Sequence, residues 1–142
     1  MAKKKVCISF DYENDKHYRY LLSAWDANTD FEFTFNDKTP GEIKSDDYSR
    51  LKAVLTQKIN SASLVLVIVG KYANAKDANS DKIGERNWQA WEIKKAKELE
   101  KKLVAVKIDR TYESPSELLN CGALWAMSFS QEAILKALEE VE

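Results

Sequence analysis

Leu64-Val65-Leu66-Val67-Ile68-Val69, bounded by Ser63 and Gly70, is the most apolar run in the chain. It is built only of leucine and β-branched side chains, so it has no polar face. A strand covered by helices on both sides reads this way, whereas a strand with one wet face alternates. The run therefore predicts a central strand of a parallel sheet.

The flanking segments fit that strand. Upstream, Val6-Cys7-Ile8-Ser9-Phe10 is a short, mostly apolar first strand. Tyr18, Leu21, Leu22 and Trp25 follow at helical spacing, with Asn14 or Asp15 as the expected cap. Phe31-Glu32-Phe33-Thr34-Phe35 alternates strictly and predicts a half-exposed edge strand. The polar loop 36–44 contains Pro40-Gly41, and Ser45 is the expected cap of a helix whose buried face is Tyr48, Leu51, Leu55 and Ile59. Downstream, residues 70–86 form a long polar loop, and a structureless loop of that length in a compact domain is usually functional or mobile. Asn87 should cap a helix over 88–101, and 103–108 reads as the fourth strand. A connector with Pro115 and one helical turn over 116–119 leads to a fifth strand over 124–129. Ser130 should cap the last helix, whose inner face is Ile134, Leu138 and Val141.

Strands alternating with helices imply βαβ crossovers and a parallel sheet. The expected fold is α/β: a flavodoxin-like, three-layer α/β/α domain with a five-stranded parallel sheet of order 2-1-3-4-5. There is no internal repeat, linker or low-complexity tract, so one domain over residues 1–142 is expected.

Composition narrows the function. The 22 basic and 23 acidic residues nearly cancel, so no global field steers the chain to nucleic acid or to a membrane. No apolar run approaches the roughly 18 residues of a membrane span. Met1-Ala2-Lys3-Lys4-Lys5 lacks the long apolar run of a signal peptide, and a cytoplasmic location is the expectation. Cys7 and Cys121 read as reduced core residues. The one histidine, His17, lies on a surface helix, which argues against a metal cluster or a His-based triad. No Gly-rich phosphate loop follows the first strand.

In such sheets ligands bind outside the carboxyl ends of strands 1 and 3, at the switch point of the strand order. Here that means Phe10, Asp11 and Tyr12, the loop that starts at Asn36 and Asp37, and Gly70 with the loop after it. The helix that opens Trp88-Gln89-Ala90-Trp91-Glu92 begins directly after that last loop. Trp88, Glu92 and Leu99 lie within about 40° of each other on a helical wheel, so Glu92 falls inside the apolar stripe. A carboxylate there must be paired or must face a cleft. Two readings stand on spacing alone: a structural ion pair with Lys95 or Lys102, or a site carboxylate. Trp88 likewise either packs or stacks on a ligand ring, and Tyr12 is a second candidate for stacking. A lone carboxylate beside aromatics suits cleavage of an N-glycosidic bond to a good leaving group. Nicotinamide leaves NAD as a neutral amine, so no general acid is required, and the carboxylate stabilises the oxocarbenium-like transition state.

The chain resembles the TIR domains, and most closely the stand-alone TIR-like family of Thoeris anti-phage defence. The matching pieces are Val6-Cys7-Ile8-Ser9-Phe10, Asn60-Ser61-Ala62-Ser63, Gly70-Lys71-Tyr72 and Trp88-Gln89-Ala90-Trp91-Glu92, and they run from about Lys4 to Glu140. The Trp-x-x-x-Glu spacing corresponds to the Trp-Cys-x-x-Glu of many TIR domains, with Gln89 in the cysteine position, a change expected to be harmless. The resemblance implies that Glu92 is the catalytic glutamate and that Phe10, Asp11 and the 36–44 loop border an NAD pocket. It implies NAD as substrate, no other cofactor and no metal. It also implies a nucleosidase or ADP-ribosyl cyclase or transferase activity that makes a nucleotide signal read by a separate effector protein. The same family contains non-enzymatic scaffolds that associate with other TIR-like domains or with themselves. A phosphoacceptor receiver shares the strand order, but it needs an aspartate at the end of strand 3, where this chain has Val69-Gly70-Lys71.

Overall fold

The apolar run is the central strand, β3 (Leu64–Val69), and every one of its residues is buried. The computed structural model describes residues 4–26, 33–36, 47–119 and 122–140. β1 (Lys4–Ser9), β2 (Phe33–Asn36), β4 (Lys102–Lys107) and β5 (Leu124–Ala126) complete one sheet in the order β2-β1-β3-β4-β5. All four pairings are parallel, with Ser9 opposite Val67 and Val69 opposite Lys107. This is the expected order, with β2 at the edge.

Because side chains alternate along a strand, the sheet sorts its residues into two cores. Val6, Ile8, Leu64, Leu66, Ile68, Val104 and Val106 face one way. They pack with Leu22 of α1 (Tyr12–Asp26) and with Ile134 and Leu138 of α5 (Gln131–Glu140). Cys7, Val65, Val67, Val69, Leu103 and Ala105 face the other way. They pack with Ile59 of α2 (Tyr48–Ser61) and with Ile93 and Ala96 of α4 (Trp88–Glu98). Each large side chain so buried contributes about 1.5–3 kcal/mol. The alternation has a consequence for the site: Ser9, two residues past Cys7, also points to the α2–α4 side.

Several boundaries differ from expectation, each for a local reason. α1 starts at Tyr12, so Asn14 and Asp15 lie inside it and Asp11 does the capping. Asp11 Oδ1 accepts from the Asn14 backbone N–H at 3.4 Å and its Oδ2 from Asn14 Nδ2 at 2.6 Å. On that helix Leu22 is buried but Leu21 is 45% exposed. Asp47, not Ser45, caps α2, accepting from the Ser49 and Arg50 N–H groups at 3.0 and 3.2 Å. β4 begins one residue earlier than expected, at Lys102. β5 stops at Ala126, and Phe129 instead turns its ring onto Tyr18 and Trp25 of α1, with centroids 4.8 and 5.7 Å away. Ser130 caps α5 as expected, its hydroxyl accepting from the Ala133 N–H at 3.2 Å. The edge-strand residues Phe31 and Glu32, the 37–46 segment, Cys121 and Val141 lie outside the described residues.

The 70–86 segment is not structureless. It carries a one-turn helix, α3 (Ser80–Ile83), and buries Ala73 and Ile83. Asp77 N–H donates to Arg86 O at 2.8 Å, Arg86 pairs with Glu117 at 2.8 Å, and Lys94 pairs with Glu85 at 2.7 Å. α4 ends at Glu98 instead of reaching 101. Lys101 N–H returns to Ala96 O at 2.9 Å and Glu100 N–H to Lys97 O at 3.1 Å, the two bonds of a Schellman close. Glu100 holds the left-handed position at φ 57°. Glycine suits that conformation because it has no Cβ to collide with the carbonyl. The variant Glu100→Gly should therefore unfold at higher denaturant concentration, by about 1 kcal/mol. A loss of stability on urea titration would contradict this reading of the helix end.

Candidate active site

α4 is aimed by its first turn. Asn87 is the N-cap: its Oδ1 accepts from the Ala90 N–H at 2.8 Å. Its Nδ2 donates to Ala73 O and Ala75 O, both at 2.9 Å. One side chain thus ends the 70–86 segment and starts the helix. Trp88, at the first helical position, stacks on Tyr48 at the start of α2, with centroids 5.8 Å apart and planes at 13°. Trp91 meets Trp88 edge-on at 5.7 Å, and Lys95 Nζ lies 5.5 Å over the Trp91 ring. The indoles therefore pack α4 against α2.

Glu92 lies one turn into this helix and is 2% exposed. Ser9 Oγ donates to its Oε1 at 3.0 Å. The Lys58 ammonium, 8% exposed on α2, adds a favourable field. Neither expected ion-pair partner is used: Lys95 pairs with Glu98 at 2.7 Å, and Lys102 is exposed. Burial pushes the Glu92 carboxyl up to about 7, while the Lys58 ammonium and the Ser9 hydroxyl pull it the other way. Near neutral pH the group is poised between acid and carboxylate. Cys7 shares this layer as a free buried thiol, pushed up to about 12 by burial and then by Glu92. It stays a thiol at physiological pH and is a packing residue, not a nucleophile.

Gln89 completes the polar layer. It is 4% exposed, and its Nε2 donates to Ser9 O at 3.2 Å and to Ile68 O at 2.6 Å. Glu92 thus reaches the carboxyl end of β1, and Gln89 those of both β1 and β3, where the strand order places a ligand site. Nothing in the spacing of the sequence marked Ser9 or Gln89. The available signal was parity: Ser9 and Cys7 share one side of β1, the side covered by α4.

The other expected site residues are dispersed. Phe10 is 5% exposed and packs in the α1–α5 core, so its ring is closed to a ligand in this conformation. Asp11 caps α1, as described. Tyr12 opens α1 and Asn36 ends β2 opposite Cys7. The side chains of Tyr12 and Asn36, and all of Asp37, lie outside the described residues. Sequence reading took Asp15 only as a candidate cap. Its carboxyl sits against Gly70 at the end of β3, so close that a Cβ on Gly70 would run into it. Burial, then the neighbouring Asp11, pushes the Asp15 carboxyl up to about 6. Among the described residues no group of His, Cys, Asp and Glu could hold a metal ion. A shallow depression lined by Lys76, Ser80, Asp81, Gly84, Glu85 and Arg86 runs along α3 and contains none of the expected site residues.

The family model described as the TIR-like domain of Thoeris protein ThsB matches residues 7–113. No curated protein matches. Among solved structures, a 2-deoxyribosyltransferase from Leishmania mexicana superposes with a TM-score of 0.57 at 15% identity, covering 96% of this chain and 97% of that one. A CMP N-glycosidase from Clostridium botulinum gives 0.55 at 12% identity, covering 96% and 99%. A prokaryotic SEFIR domain gives 0.54 at 16% identity, covering 98% and 96%. At such identities the likeness is one of fold. Among the described residues no helix is long and apolar enough to cross a membrane.

A raised carboxyl has a fixed sign in stability. The folded chain holds the Glu92 proton up to about pH 7, while the unfolded chain releases it near the ordinary 4.5. Wild type is therefore favoured below pH 4.5 and loses stability as pH rises through 7. Against Glu92→Gln, whose amide carries no proton to lose, wild type should fall behind between those values by on the order of 3 kcal/mol, then run parallel above. Urea unfolding of both proteins from pH 4 to 9 measures the gap. A gap constant with pH would mean that the carboxyl is not held as described.

Proposed function

This chain belongs to the family of TIR-like domains of the Thoeris protein ThsB, and from that premise we propose that it is an NAD-cleaving enzyme whose catalytic carboxylate is Glu92. The observation that carries the proposal is the Glu92 carboxylate, buried at 2% exposure and held by the Ser9 hydroxyl at the carboxyl end of β1. The bond broken is that between the ribose C1′ and the nicotinamide nitrogen. Its electron pair leaves with nicotinamide, now a neutral amine, so no proton donor is needed. The ribosyl centre becomes cationic, and ionised Glu92 stabilises that charge in surroundings where water does not screen it. The acceptor at C1′ sets the product: water gives free ADP-ribose, an internal group a cyclic form, and another molecule a transferred one. The fold neighbours named as a deoxyribosyltransferase and a CMP N-glycosidase bear names of the same bond class. In the defence setting of its family, the product would be a nucleotide signal read by a separate effector protein.

A second reading is a TIR-like interaction module, self-associating or bound to other TIR-like domains, without catalysis. One observation favours it: Glu92 is 2% exposed, so NAD reaches it only after the neighbouring segments open. Gel filtration beside a nicotinamide-release assay separates the two readings. The enzyme reading expects NAD loss, at least in the assembled protein, abolished by Glu92→Gln with the fold intact. It also expects kcat/KM to climb about tenfold per pH unit below an apparent pKa near 7 and to level off above, because only the ionised carboxylate stabilises the cation. Association with no NAD consumption would favour the module, and normal turnover by Glu92→Gln would remove Glu92 from the chemistry.

A further inference from the structure

Gln89 stands where many TIR domains have cysteine. In this structure its amide makes two buried hydrogen bonds. The ladder between β1 and β3 runs out at Ser9 and Val67. At that point the carbonyls of Ser9 and Ile68 are met by the two-proton amide of Gln89, at 3.2 and 2.6 Å. A primary amide carries two N–H donors and so fits two acceptors; a thiol has one weak donor and a shorter reach. Three residues on, the same face of α4 presents Glu92, which takes the Ser9 hydroxyl at 3.0 Å. One turn of α4 thus straddles Ser9, with Gln89 on its carbonyl and Glu92 on its hydroxyl. All three residues are buried, at 0%, 4% and 2% exposure for Ser9, Gln89 and Glu92.

We propose that Gln89 is a positioning residue: with Ser9 it braces the first turn of α4 against the carboxyl ends of β1 and β3, and so sets where the Glu92 carboxylate stands. Gln89 touches no reacting atom in this scheme. Its catalytic consequence rests on the NAD-cleaving reading, but the brace itself does not. A displacement of the carboxylate by an ångström is enough to cost about a hundredfold in rate.

The test uses the full chain with Gln89→Met, which keeps the length of the side chain and removes both donors. Gln89→Asn, which keeps an amide too short to span both carbonyls, stands in if the methionine variant does not fold. The first readout needs no activity. The pH-dependent stability gap between glutamate and glutamine at position 92 is measured again in the Gln89 variant. With a brace, its midpoint moves by about half a pH unit or more, because the carboxyl changes its distance to Ser9 and its contact with water. A midpoint that stays in place while overall stability falls makes Gln89 a packing residue and overturns the proposal. The second readout applies when wild type consumes NAD and Glu92→Gln does not. There the variant should lower kcat about 10- to 100-fold per folded molecule with KM within about twofold. Adding Ser9→Ala should cost less than the two single losses multiplied, since both act through one carboxylate. An unchanged kcat, or fully multiplicative losses, overturns the proposal. Assembled wild type without NAD consumption rejects the enzyme reading and leaves the first readout to decide the brace.

Discussion

A carboxylate cannot be buried between a sheet and two helices unless something donates to it, and Glu92 is a buried carboxylate on the α2–α4 side of this fold. Left alone, an ionised carboxylate in such a place is driven back to its acid. Here it keeps one hydroxyl, from Ser9, and the field of one ammonium, from Lys58. That is enough to hold it and not enough to restore its ordinary acidity. Replacing it with an apolar side chain of similar volume would make a simpler core, since a buried charge does not by itself add stability.

The surrounding structure is arranged about that group. β1 brings Ser9 to the right face by strand parity. Asn87 starts α4 at the right place by joining its cap to the backbone of the preceding segment. Trp88 and Tyr48 hold the helix against α2. Gln89 ties the same turn to β1 and β3. The 70–86 segment, pinned by the Arg86–Glu117 pair and by the burial of Ile83, delivers α4 to this position.

Much of this was legible in the residues themselves. The unbroken Leu64–Val69 run announced a strand covered on both faces, and the alternation of strands and helices gave the order 2-1-3-4-5. Asn87 could be read as a cap and Glu92 as a carboxylate on the wrong face of its helix. What stayed hidden depends on pairs far apart in the chain. Ser9 and Glu92 are 83 residues apart, and Gln89 and Ile68 are 21 apart. Local spacing cannot report either contact. For the same reason spacing offers Lys95 and Lys102 as the ion-pair alternative for Glu92, although its partners come from β1 and α2. The caps Asp11 and Asp47 were misjudged because each lies among other polar residues that cap equally well. The 70–86 segment reads as loose because its two buried apolar anchors, Ala73 and Ile83, are lost among its charges.

The chemistry of the site turns on the state of one carboxyl group. Carbon-13 NMR of the native protein labelled at glutamate side chains, with Glu92 assigned by its absence in Glu92→Gln, follows that group directly through a pH titration. A buried, incompletely paired Glu92 gives a midpoint near 7. A midpoint near the ordinary 4.5 would mean that Glu92 is solvated or fully paired, and it would contradict both the buried site and the chemistry built on it.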